Sequence, residues 1–134
     1  MATQRSNRLT ELGELQVQVL EALWKLGEGT VYDVLAKFAA RKRPKYTTVL
    51  TVLRTLEEKG LATHRTEQRT YVFRPTVEQR ELRRNVLTDV LGRVFAGSPS
   101  DLVAALLDVG QVTPETLAEM KALIAEREHE ARDA

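Results

Sequence analysis

Residues 46–60 read YTTVLTVLRTLEEKG, and their spacing governs how the chain around them is read. On a helix turning about 100° per residue, Val49, Leu50, Val52, Leu53 and Leu56 fill one arc of roughly 160°. Thr47, Thr48, Thr51, Arg54, Thr55 and Glu58 occupy the opposite side. A solvated helix face usually carries Lys, Glu and Gln, which lose little rotamer freedom there. Here four of the six positions are threonine, a mediocre helix former. Short hydroxyls and methyls with one Arg suit the edge of a DNA base pair, where Thr methyls meet thymine methyls and Arg pairs with guanine. Taken alone, the helix is equally consistent with a β-branched cluster on a well-packed surface, so its flanks decide.

Upstream, residues 10–26 form a first helix capped by Thr10, with Leu12, Leu15, Val19, Leu23 and Leu26 at helical steps and Trp24 as a core anchor. Gly27 and Gly29 interrupt it, and Thr30 caps a second helix running from Val31 to about Ala40, with Val31, Val34, Leu35 and Phe38 inward. Pro44 closes the next connection, because proline disfavours a helical residue before it. Downstream, residues 61–65 and 70–74 read as two short strands around a polar tip at 66–69, with Tyr71 and Phe73 on one face. The tip lacks Gly and Asn, so its turn type is open.

Three helices and a hairpin in that order make a winged helix-turn-helix, with the third helix as reader and the hairpin as wing. Phosphate clamping needs cations beside the reader. Arg41, Lys42, Arg43 and Lys45 precede it, no acid occurs in residues 41–54, and Arg65 and Arg69 lie on the wing. Tyr46 opens the reader and joins this candidate DNA-binding set.

From Thr76 the chain turns helical again. Thr76 is expected to cap a helix reaching about Phe95, with Leu82, Val86, Val90, Leu91 and Val94 at helical spacing. Ser98-Pro99 and Thr113-Pro114 are two further start signals, a capping hydroxyl followed by proline at the first helical position. The first opens an apolar helix containing Leu102, Val103, Leu106 and Leu107. The second opens a last helix to about His129 with Leu117, Met120, Leu123 and Ile124 on one side. Helices this size cannot each bury an apolar stripe in so small an appendage, so a symmetric homodimer is expected, presenting two readers to two half-sites.

The fold class is therefore mainly α with a small β-hairpin wing: a winged helix-turn-helix over residues 1–75 and a helical dimerisation region over 76–134. Charge divides the same way. Residues 1–75 carry 13 Lys/Arg against 8 Asp/Glu, and residues 76–134 carry 7 against 11, so the first part suits a polyanion. A chain of 134 residues with 43% hydrophobic and 29% charged residues is an ordinary globular domain. No apolar run is long enough for a membrane span, the N-terminus lacks a secretory core, and cysteine is absent, so a cytoplasmic location is expected. With His64 and His129 the only histidines and no phosphate loop or metal-spaced set, no catalytic residue, metal or cofactor is expected.

The segments LTELGELQVQVLEALWKLGEGTVYDVLAKF, YTTVLTVLRTLEEKGLATHRTEQRTYVFRP and LVAALLDVG closely resemble the penicillinase-repressor (BlaI/MecI/CopY) family of bacterial transcriptional repressors, over about residues 9–126. The resemblance implies a homodimer on a palindromic double-stranded DNA operator, repressing genes such as those of β-lactam resistance. It implies DNA contacts from Thr47, Thr48, Thr51, Arg54, Arg65 and Arg69. It also implies inactivation by a signalled protease at a bond matching Ala105–Leu106, although the best-known members have a different residue pair there. The copper-responsive branch uses cysteine pairs, which this chain lacks. A winged helix that binds only protein, and a regulator induced by a small molecule between the C-terminal helices, are the alternatives.

Overall fold

The structure, a computed structural model, describes residues 12–134. Helix α1 is Glu14–Leu26. It starts after Gly13, whose amide is met by the Gln16 side chain at 3.4 Å. The expected cap, Thr10, lies outside the described residues. Val19, Leu20, Ala22 and Leu23 are its buried residues, so Leu20 joins the expected stripe. Gly27 ends the helix at φ 80, a backbone region that favours glycine.

Helix α2, Val31–Leu35, is shorter than its apolar spacing implied. A reciprocal capping box opens it: Asp33 N donates to Thr30 Oγ1 at 3.2 Å, and Thr30 N donates to Asp33 Oδ2 at 2.9 Å. Beyond Ala36 the bonds tighten to three-residue steps, Lys37 N to Val34 O and Phe38 N to Leu35 O, and the helical coil is lost. That tightening leaves Phe38 packed against the core, and the chain passes through a 3₁₀ turn at Ala40–Lys42.

Helix α3, Tyr46–Glu58, matches the opening stretch. Val49, Leu53 and Leu56 are fully buried, and Leu50 and Val52 are partly so. The wing follows as antiparallel strands β1, Ala62–Glu67, and β2, Thr70–Pro75. Glu67 pairs with Thr70, which leaves a loop of only Gln68 and Arg69. Both have positive φ, 49° and 66°, the mirror-image turn whose twist matches paired strands. The strands therefore run closer to the tip than composition suggested. The α1–α2 connection adds one rung: Gly29 N donates to Phe73 O at 2.9 Å and Phe73 N to Gly29 O at 2.8 Å. A Cβ at Gly29 would lie 3.0 Å from the Asp33 Cβ and 3.1 Å from Leu26 Cδ1, so a side chain there would have to push these neighbours aside by a few tenths of an ångström.

Helix α4 is Gln79–Val94, with Glu78 and not Thr76 at its cap. Thr76 has another role: its hydroxyl donates to Gly60 O at 2.6 Å, supplying a partner to a carbonyl just past the end of α3. Trp24 Nε1 donates to Val77 O at 2.8 Å, and Leu82 is buried in the core, with Val77 and Val86 packed against it. The winged core thus extends beyond residue 75, and Leu82, expected among the dimerisation residues, is buried by its own protomer. Helix α5, Pro99–Val109, bends 97° away from α4, and α6 is Pro114–Asp133. Their caps form as expected, with Ser98 Oγ accepting from Asp101 N and Thr113 Oγ1 from Thr116 N. No residue of α5 or α6 is buried; Leu106, Leu107, Leu123 and Ile124 are 45–63% exposed. Among the described residues, no single helix is long and apolar enough to cross a membrane.

Trp24→Phe keeps an aromatic ring but removes the pyrrole part of the indole and with it the N–H bond to Val77. It should lower unfolding free energy by about 0.5–1.5 kcal/mol, read from urea denaturation followed by circular dichroism. An unchanged midpoint would show that this link does not hold α4 to the winged core.

Candidate nucleic-acid interface

The buried edge of α3 fixes which side chains face outward. Thr47, Thr48, Thr51, Arg54 and Glu58 are exposed and Thr55 is half-buried. Thr51 Oγ1 donates to Thr47 O at 2.9 Å, and Thr55 Oγ1 donates to Thr51 O at 3.0 Å. A hydroxyl has one proton, so Thr51 offers its surroundings a methyl and acceptor lone pairs. The side chains of Thr47, Thr48 and Arg54 make no hydrogen bond or ion pair among the described residues. One helix face therefore displays two free hydroxyls, one acceptor-type threonine and one free guanidinium.

The cations before α3 are carried by the 3₁₀ turn and the link after it. Arg41, Lys42, Arg43 and Lys45 are all exposed. Arg43 is tied back to the turn, with Nη2 donating to Phe38 O at 3.2 Å. Lys45 is the N-cap residue of α3, and Tyr46, its first helical residue, is 41% exposed. Tyr46 stacks against Tyr32 of α2, ring centroids 5.0 Å apart. Tyr32 is not singled out by sequence spacing; an uncharged aromatic between the inward Val31 and Val34 was the available signal.

The wing is fastened to α3 by His64, whose Nδ1 lies 2.6 Å from Glu57 Oε1 in the last turns of that helix. The His64 ring also packs on Tyr71 and Phe73, at centroid distances of 4.6 and 5.3 Å. Arg69 sits in the tip with no ion pair among the described residues. Arg65 differs from the simple clamp its position suggested. Its Nη2 bonds the Glu28 carboxylate of the α1–α2 connection and, at 3.0 Å, Glu67 of its own strand. The hydrogen bond from Arg65 holds the Glu28 carboxyl below its ordinary value, aided by the charges of Arg65 and Arg74 and opposed by desolvation. The same bond raises the Arg65 guanidinium further. Two carboxylates around one guanidinium leave this part of the wing without surplus positive charge.

Thus Tyr46, Thr47, Thr48, Thr51 and Arg54 lie on one helix, Arg41, Lys42 and Lys45 precede it as exposed cations, and Arg65 is already engaged. Among the described residues no cluster of three or more His, Asp or Glu is placed to hold a metal ion.

A penicillinase repressor family model matches residues 12–126. The transcriptional regulator BlaI of Mycobacterium tuberculosis is 34% identical over 87 residues, 64% of this chain, which spans 63% of that relative's length. The penicillinase repressor of Bacillus licheniformis is 19% identical over 126 residues, covering 94% of this chain and 98% of the relative. Among solved structures, the DNA-binding domain of the repressor BlaI aligns with a TM-score of 0.48 at 20% identity, covering 55% of this chain and 89% of that one.

Two outcomes are expected from the wing. Because the folded Glu28 pKa is depressed, its pairing with Arg65 stabilises the fold above the ordinary Glu value of about 4.3 and is lost as pH falls through the lower folded value. The stability gap between the parent and Glu28→Gln, measured by urea denaturation, should therefore close as pH is lowered below that value; a gap independent of pH would remove the pairing. Arg69→Gly should relieve the positive-φ strain and raise stability by roughly 0.4–1 kcal/mol, and a loss of stability would mean that the turn differs.

Proposed function

The chain belongs to the penicillinase repressor family, and from that premise we propose that it is a sequence-specific transcriptional repressor binding an operator duplex as a homodimer. The observation that carries this reading is the exposed face of α3, two free threonine hydroxyls, an acceptor-type threonine and a free Arg, with no acid across residues 41–54. The family is one of transcriptional regulators, not enzymes.

In this reading α3 enters the major groove. Arg54 pairs with guanine, and Thr51 accepts from a base amino group or lays its methyl on thymine, while Thr47 and Thr48 are free to donate. Arg41, Lys42, Arg43 and Lys45 hold phosphates on one flank and Arg69 on the other. Arg65 reaches phosphate only by exchanging partners. Such an exchange is accessible, because solvent screens an exposed ion pair and phosphate offers the same fork of acceptors as a carboxylate.

Dimerisation falls to the helices whose apolar faces the protomer leaves open. Leu102, Val103, Leu106 and Leu107 of α5, and Leu117, Met120, Leu123 and Ile124 of α6, are candidates, together with Val90, Leu91 and Val94 at the end of α4. Val86 lies nearer the winged core, so the DNA-binding unit runs into the first half of α4 and the joining region begins after it. Two copies joined there present two readers to half-sites about one helical turn apart, or a multiple of it. A palindromic operator and a cytoplasmic location follow. Control of β-lactam-resistance genes, and inactivation by a signalled protease at Ala105–Leu106, belong to the same reading. That bond lies in the middle of α5, so cutting it would divide the joining helices.

Arg54→Ala and Thr51→Ala should each weaken binding to the operator by about 1–3 kcal/mol, with little change on unrelated duplex. An equal loss on both would remove α3 from base readout. Arg69→Gln should lower affinity on all duplexes and flatten the salt dependence by about one unit; an unchanged slope would take the wing tip off the phosphates. Leu107→Asp combined with Leu123→Asp should sediment as a monomer, and a persisting dimer would place the joining surface elsewhere.

A further inference from the structure

Tyr32 is the most exposed of the tyrosine, tryptophan and phenylalanine residues among those described, at 71%. The core does not use it: α2 buries Val31 and Val34 and turns Tyr32 outward. The ring is nevertheless held in place, resting on Tyr46 at 5.0 Å with 45° between the planes. Neither phenol hydroxyl has a hydrogen-bond partner among the described residues. The pair stands at the head of α3, whose exposed N-cap is Lys45 and whose next residues in sequence are Thr47 and Thr48. The nearest acid in sequence, Asp33, is tied to the Thr30 amide by its own carboxylate.

We propose that Tyr32 is a DNA-backbone contact, with its ring against a deoxyribose and its hydroxyl donating to a phosphate oxygen at the edge of the groove that α3 enters. The inference rests on the operator-binding reading above and adds a residue outside the reading face. Tyr32 lies on the helix before α3, and α3's own side chains cover the base edges. A phenol offers one neutral donor, suited to a single anionic oxygen, and an apolar ring suited to a sugar. Tyr46 acts as a positioning residue in this arrangement. It restricts the Tyr32 ring before DNA arrives, so less side-chain freedom is lost on binding.

A neutral contact has a signature that distinguishes it from the lysines around it. Losing a Lys or Arg contact to phosphate flattens the salt dependence, because fewer counterions are released. Losing a neutral hydroxyl lowers affinity without changing that slope, and does so on every sequence.

The test is fluorescence-anisotropy titration of the full chain over a series of salt concentrations. Its probes are a duplex recovered from genomic fragments by the parent protein and a scrambled duplex of the same composition. Tyr32→Phe keeps the ring and its stack and should lower affinity on the order of tenfold on both duplexes, at an unchanged salt slope. Tyr32→Ala should lose more, because it also removes the ring. Parent-like binding by Tyr32→Phe, a loss confined to the recovered duplex, or a flattened slope would each overturn the proposal. Arg54→Ala run in parallel separates the two claims. If it loses specific binding while Tyr32→Phe matches the parent, the reader stands and the Tyr32 contact falls. If the parent itself does not prefer the recovered duplex and Arg54→Ala matches it, the operator reading falls, and the contact with it.

Discussion

Burial of Val49, Leu53 and Leu56 sets the rotation of α3, and much else in the molecule depends on it. Each apolar side chain taken fully from water contributes about 1.5–3 kcal/mol, so turning the helix by one residue would expose this edge and draw the threonines inward. The partners of that edge come from distant parts of the chain. Leu20 and Leu23 of α1, Val31 and Val34 of α2, and Phe73 of β2 belong to the same cluster. Phe73 in turn bonds Gly29, and Thr76 bonds Gly60. The wing and the α1–α2 connection are thereby held to the frame that orients α3. A side chain facing outward from α3 does so because its neighbours have nowhere else to go.

The wing shows the opposite balance, with local stability set against what its residues present. A two-residue turn favours Asn or Gly, yet Gln68 and Arg69 occupy it with positive φ. The strain places a free guanidinium at the outermost point of the hairpin. Nearby, Glu28 and Glu67 hold Arg65, whereas Arg69 at the tip has no ion pair among the described residues. His64 and Glu57 fix the base of the same hairpin to α3. The base is held by packing and a short polar contact, and the tip is left to reach.

Much of this was legible in the residues. The wheel of residues 46–58 assigned inner and outer faces correctly with one exception, the half-buried Thr55, because burial on a helix follows its period. The starts at Ser98 and Thr113 also formed as read, since a cap needs only residues one turn away. What escaped depends on contacts distant in sequence. Nothing local says that α2 tightens at Phe38, that Thr76 turns back to Gly60 instead of capping α4, or that Leu82 completes the winged core. Arg65 looked like a free cation because Glu28 is 37 residues away. Tyr32 drew no notice because its partner, Tyr46, lies on another helix.

The central claim is that one face of this molecule, built on α3, meets DNA while α5 and α6 meet a second copy. Chemical-shift mapping of the labelled full chain, with and without a duplex recovered from genomic fragments, tests it directly. Shifts should concentrate on Tyr32, on residues 41–55 and on Gln68 and Arg69, and α5 and α6 should be unchanged by the duplex. Shifts confined to α4–α6, with α3 unaffected, would contradict it.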